Sequence, residues 1–364
     1  MEGKQGSGQV SDYPCRLNRA LIGFLPSRTT RTHAYNNNRG IVRESRLGLI
    51  PTLALISLAA LVETTAWSQE SSCLRRTLPL TLENAQGFPL DGLSTADVET
   101  KFPAAGTVKV LSIVPDERPH RIVILVDASG SMATKWGEVL APALGLAKTE
   151  LPNTEMALLV FKDKVEEQVS FSQGQGVVAE RLRQIRSMTK ATGQTASGRT
   201  ALFDSLFIGL QLLGTPTSAD TLYLISDGAD NASHARFRDV AQRLSASRVR
   251  LFVSLIVGQY GNRSPTPEEE NGPLDISDLV RKTGGQINTP FGQGVPTKPE
   301  EAQRLSQAMQ RFYAAMSQNY RLEVELPTTM DKPTSWELRF SEEGKSRWKN
   351  ARVNYPTQLA ACSR

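Results

Sequence analysis

The residues best placed to do chemistry are Asp127-Ala-Ser129-Gly-Ser131, a carboxylate and two hydroxyls at alternate positions. They follow directly on the apolar run from Ile122 to Val126, which reads as a strand buried on both faces. Open α/β sheets place ligands just past the carboxyl ends of such strands. These donors are hard oxygens, and no Cys or His lies among them. That set suits a hard, octahedral cation such as Mg²⁺ (or Mn²⁺) better than zinc. Two further segments offer the same kind of donor. Gly198-Arg-Thr200-Ala-Leu-Phe-Asp204 puts Thr200 at the start of an apolar helix, and the run from Thr221 to Ile225 is a second buried strand ending in Ser226-Asp227-Gly228. In one parallel sheet those ends share an edge, so the donors can converge.

Asp127-x-Ser129-x-Ser131, Thr200 and Asp227 together resemble the metal-ion-dependent adhesion site of von Willebrand factor type A domains. Every position of that pattern is filled here, in the expected order and on the expected elements. The resemblance implies that Ser129, Ser131 and Thr200 touch the metal through their hydroxyls. Asp127 and Asp227 would contribute directly or through water. Mostly neutral ligands leave the cation much of its charge, and one coordination position stays open for an outside oxygen, typically a carboxylate on a partner protein. Such a site docks a ligand and need not react with it. Taken segment by segment, the alternative is that Ser129 and Ser131 cap the next helix and both Asp are turn residues. That explains each segment but not their agreement.

The elements that must position these groups follow from the alternation of strand and helix patterns, which implies a mainly parallel, Rossmann-like α/β sheet with helices on both faces. After the Asp127 strand the pattern predicts a helix near Trp136 to Leu151 and strands at Met156–Phe161 and Val165–Phe171. A helix near Val177–Met188 and the Thr200 helix come next, followed by the Asp227 strand. A helix over Phe237–Ser247 and a strand over Arg250–Val257 come after it. Residues 259–273, with Pro265, Pro267 and three consecutive Glu from Glu268, read as a solvated loop before a helix from Asp275 to Lys282. A last helix opens at Pro299. Alternating stretches at Leu78–Leu82, Val108–Val114, Tyr320–Leu326 and Trp336–Phe340 read as half-buried strands of a small flanking β module. The resulting division is a leader at 1–68, an N-terminal β segment at 69–118, a type A domain at 119–318, and a C-terminal strand pair at 319–364. This layout loosely resembles a group of bacterial secreted proteins.

The composition is that of a globular chain, 39% hydrophobic and 22% charged over 364 residues. The net charge of +5 is carried by the basic stretch before Leu47, and the remainder balances. Nothing in that balance favours nucleic acid. The uncharged stretch Leu47–Val62, with Arg43 and Arg46 before it and Ala66-Trp67-Ser68 after it, matches a secretory signal peptide and a secreted or periplasmic location. An uncleaved membrane anchor is the alternative, although Pro51 interrupts the stretch and it is short for a span. A leader starting near residue 42 suggests Val42 as the true start; the rival is a polar cytoplasmic extension. Cleavage after Ser68 would leave Cys73 and Cys362, a pair that suggests a disulfide between the two ends of the mature chain. Two free thiols are the other reading.

Other signals carry less. Gly174-Gln-Gly176 lacks the buried strand and the downstream acid of a dinucleotide site, so no nucleotide is expected. His33, His120 and His234 are scattered, which argues against zinc and against a His-based triad. Asp230 is expected to support the Asp227 loop and Asp204 to orient the Thr200 region. Trp136 fits either a ligand-facing rim or the core. The function expected is therefore non-enzymatic: capture of a protein ligand through a metal-bridged carboxylate. An envelope assembly component whose metal only staples loops is the alternative, and a metal-dependent hydrolase is the reading from another class.

Overall fold

The computed structural model describes residues 73–102, 106–192, 198–257 and 264–362. The expectations for the leader, the start at Val42 and the apolar stretch 47–62 lie outside the described residues. Among the described residues no helix is long and apolar enough to cross a membrane.

The strands in chain order are β1 (Arg75–Glu83), β2 (Val98–Lys101), β3 (Lys109–Pro115), β4 (His120–Asp127), β5 (Thr154–Phe161), β6 (Val165–Val169) and β7 (Thr221–Ser226). They continue with β8 (Arg250–Leu255), β9 (Ile287–Asn288), β10 (Tyr320–Glu325), β11 (Thr334–Ser335), β12 (Glu337–Phe340), β13 (Arg352–Asn354) and β14 (Gln358–Leu359). The α-helices are α1 (Trp136–Lys148), α2 (Gln175–Thr192), α3 (Leu202–Leu212), α4 (Phe237–Ser247), α5 (Pro267–Thr283), α6 (Pro299–Ser317) and α7 (Glu342–Arg347).

The central sheet runs β6-β5-β4-β7-β8-β9, parallel except for β6, which is antiparallel to β5. The continuous apolar runs of β4 and β7 are what a strand covered on both faces requires, and Ile122 to Val126 are all fully buried. On one face Ile122, Ile124, Val126, Leu158 and Tyr223 pack against α1, α2 and α6. On the other, Val123, Leu125, Leu159, Leu222 and Leu224 pack against α3, α4 and α5. Each such side chain contributes about 1.5–3 kcal/mol through burial, so the strand ends are held by a rigid base.

A second core lies in the β module. The antiparallel sheet β13-β1-β10-β3 brings the strands on either side of the central region together, and β12 pairs with β2. Leu80, Leu322, Val324 and Trp336 fill its interior. Cys73 and Cys362 are disulfide-bonded, with Cα atoms 5.6 Å apart.

In the β module the two strands expected as a C-terminal pair lie in separate sheets, β10 between β1 and β3 and β12 against β2. In the central region one stretch differs from the sequence expectation. Residues 259–273 read as a loop, but α5 begins at Pro267. Thr266 caps the helix, its hydroxyl accepting from the Glu269 amide and the Glu269 carboxylate accepting from its own. Pro267 takes the first helical position, where its missing N–H costs nothing. The three glutamates sit in the first turn, where the helix dipole favours negative charge. Residues that suggested solvation are helix-start residues.

Candidate functional site

Asp127 ends β4 and is fully buried. Its Oδ1 accepts from the Ser129 amide at 2.9 Å, which folds the chain back over the strand end. Its Oδ2 accepts from Ser226 Oγ at 2.6 Å. Ser226 is the last residue of β7, and the register that sets Val126 beside Ile225 brings it next to Asp127. Ser129 Oγ and Ser131 Oγ lie 3.2 Å apart, and the Ser131 hydroxyl bonds the Asp227 carboxylate. Asp127, Ser129, Ser131 and Asp227 thus form one hydrogen-bonded cluster at the carboxyl ends of two neighbouring strands.

Thr200, also buried, is brought to the same edge by backbone ties. Gly130 N donates to Gly198 O at 2.9 Å, and Thr200 O accepts from Asn231 N and Ala232 N at 3.0 and 2.9 Å. Asn231 Oδ1 in turn accepts from Thr200 N at 2.8 Å. The Thr200 segment is therefore stitched to both acid-bearing loops.

The electrostatics of this cluster are unusual. Burial pushes the Asp127 carboxyl up to about 7, and the charge of Asp227 adds to the shift. Asp227 is raised as well, again chiefly by burial, with Glu269 adding to it and Ser131, the Ala229 amide and Lys135 opposing it. Two buried carboxyls stand close enough to feel each other's charge, among hydroxyls that hydrogen-bond them. Among the described residues no three His, Cys, Asp or Glu side chains assemble into a cluster that could hold a metal ion. Any cation held here would depend on Ser129, Ser131 and Thr200 to complete two carboxylates. An oxygen-only set of that kind matches a hard dication, and two neighbouring acids raised by burial are what such an ion would relieve.

Several participants were not visible in sequence. In the sequence Ser226 reads only as the end of a strand, with no sign of its bond to Asp127. Gly228 follows Asp227 with φ +89°, and any Cβ there would lie 2.9 Å from the carbonyl carbon of Gly272 in α5. This close approach seats the Asp227 loop on a helix that begins eight residues earlier than its sequence suggests. Asp230 supports its own loop as expected, accepting from Ser233 Oγ at 2.5 Å, and both acids also reach across to the other's segment. Asp230 Oδ1 accepts from Leu202 N at 2.8 Å and so caps α3, while Asp204 accepts from the His234 and Ala235 amides, each at 2.9 Å, and holds the loop after β7. Each acid stabilises the other's segment. Trp136 is buried in the core.

Residues 122–266 match the model of the von Willebrand factor type A domain. The central region is a von Willebrand factor type A domain. Its family match ends at the cap of α5, and α5, β9 and α6 complete the sheet and its layers beyond it. Among solved structures, an aerotolerance-related membrane protein from Bacteroides fragilis NCTC 9343 with multiple mutations to serines is similar at 13% identity and TM-score 0.35, over 53% of this chain and 98% of that one. The conserved hypothetical protein BatB from Bacteroides thetaiotaomicron is similar at 15% identity and TM-score 0.36, with the same two coverages, 53% and 98%. A von Willebrand factor type A protein from Catenulispora acidiphila is similar at 12% identity and TM-score 0.37, over 79% of this chain and 74% of that one. Likenesses this distant carry no argument about function. No curated protein matches the chain.

Proposed function

We propose that this type A domain is an extracytoplasmic binding module that captures a partner protein through a divalent cation, Mg²⁺ or Mn²⁺, held by Asp127, Ser129, Ser131, Thr200 and Asp227. The observation that carries this reading is the pair of buried carboxyls set among hydroxyls at the sheet's carboxyl edge. When bound, the cation supplies a Lewis-acidic docking point for a ligand carboxylate. The chain's own residues do the rest. Ser226 and the Ser129 amide orient Asp127, and Asn231 fixes the Thr200 backbone.

A binding role is favoured over catalysis because, among the described residues, the side chains hydrogen-bonded to the two acids are hydroxyls. A purely structural cation is less favoured. The three loops are already stitched by the Gly130–Gly198 and Thr200–Asn231 backbone bonds, which need no ion. The Cys73–Cys362 bond supports an oxidising compartment and thus the secreted or periplasmic placement.

The test presents immobilised protein to an extract of the native envelope in Mg²⁺ and in EDTA. A partner retained in Mg²⁺, released by EDTA and lost in Asp127→Ala and Thr200→Ala is expected. Both variants should unfold in chelator as cooperatively as the wild type. Retention of the partner by both variants in excess chelator would contradict the proposal.

A further inference from the structure

Lys135 ends the short 3-10 segment Gly130–Lys135 that starts on the serine loop. In the sheet β4, β7 and β8 are neighbours, so Asp127, which ends β4, and Asp227 and Val257, which follow β7 and β8, lie at three adjacent strand ends. The Lys135 ammonium donates to the backbone carbonyl of Val257. Its side chain therefore leaves the loop after β4 and reaches the end of β8. The end of β7, which Asp227 follows, lies between those two strand ends in the sheet. Ile256 N donates to Ser226 O at 2.9 Å, which keeps the β8 end alongside the β7 end. The next residue, Trp136, is anchored in the core, so the lysine backbone is fixed.

The placement has an electrostatic consequence. Burial lowers the Lys135 pKa from its ordinary value, while the charges of Glu138 and Asp227 work against that and favour the ammonium. Burial raises Asp227, and Lys135 is one of the groups that oppose the rise. A tethered ammonium beside one of the two buried acids supplies part of the positive charge that a dication would otherwise supply.

We propose that Lys135 is a built-in countercharge that lowers the affinity of the Asp127–Asp227 site for a divalent cation. Its positive charge opposes the incoming ion. Occupancy of the site then follows the surrounding cation concentration instead of being permanent. This inference rests on the cation-binding reading given above.

The experiment titrates Mn²⁺ into the chelator-treated full chain and reads free Mn²⁺ by electron paramagnetic resonance at low and high ionic strength. Lys135→Met is expected to bind Mn²⁺ about five- to tenfold more tightly than the wild type at low salt, the scale of removing one nearby partly buried charge. Lys135→Gln should tighten binding likewise, which covers the case of one variant folding poorly. Lys135→Arg should stay within about twofold of the wild type because it keeps the charge. The gap should narrow at high salt through screening. A lysine that merely braced the loop would give the opposite sign, a weaker site in both neutral variants at either salt. Unchanged or weakened binding in the neutral variants, with uptake by the wild type intact, overturns the role of Lys135. No Mn²⁺ uptake by the wild type overturns the underlying cation reading instead.

Discussion

The two ends of the central sheet bury acids in opposite ways. At the amino end, Asp116 accepts from Arg118 Nε at 2.7 Å and Asp220 accepts from Arg121 Nε and Nη2 at 3.0 and 2.7 Å. Burial pushes Asp116 up, but its bonds to Arg118 outweigh that and hold it below the usual carboxylate range. Nearby, the fully buried Arg250 donates to the last carbonyls of α6, Ala315 O at 2.8 Å and Met316 O at 2.5 Å. At the carboxyl end Asp127 and Asp227 meet each other and a set of hydroxyls, and both are raised. The same sheet thus carries paired acids that serve the fold and unpaired acids that cost stability. Unpaired acids in a well-packed protein point to a ligand.

Breaking the amino end should have the largest effect. Arg250→Met strands the α6 carbonyls and removes the buried charge that faces Asp116, Asp220 and Glu83. A loss of about 3 kcal/mol or more is expected in urea unfolding. Asp220→Asn breaks the pair with Arg121, whose side chain is partly exposed, so a smaller loss of about 1–2 kcal/mol is expected. Asp127→Asn sharpens the contrast because it should do the reverse. In chelator it removes an uncompensated buried charge while keeping an oxygen for the Ser129 amide. A gain of about 1 kcal/mol is expected by the same urea measurement, and a loss there would place Asp127 among the structural acids.

The smallest effect concerns His120, buried at the amino end with Nδ1 3.1 Å from Ala219 O. Burial, reinforced by Arg250, lowers its pKa below the ordinary 6.5. A histidine whose folded pKa is depressed takes up its proton more readily when unfolded. Stability should therefore fall as pH drops below about 6.5. His120→Gln should flatten that part of a thermal-midpoint-against-pH profile, and an unchanged slope would assign it to other groups.

How much of this was legible in the sequence depends on the range of each interaction. The buried strands were legible because a strand covered on both faces must be apolar throughout, and α4 occupies Phe237–Ser247 as its periodicity suggests. The pairing of β1 and β3 with β10 could be anticipated because alternating strands need a partner face. The start of α5 was missed because Pro and a run of Glu mark both loops and helix starts, and only the Thr266–Glu269 capping box separates them. Ser226, Lys135 and the Gly228–Gly272 approach join residues distant in sequence, so local pattern could not rank them. The cross-links that Asp204 and Asp230 make to one another's segments were invisible for the same reason. Both acids are in the right region, and only the fold decides which loop each one holds.

The central claim is that the unpaired acids at the carboxyl edge exist to take up a hard dication. Isothermal titration of Mg²⁺, and separately Mn²⁺, into chelator-treated protein tests it most directly, with Asp127→Asn measured alongside. The account predicts uptake at one site in the wild type and none in the variant. Equal heats from both proteins, or no uptake by a folded wild type, would contradict it.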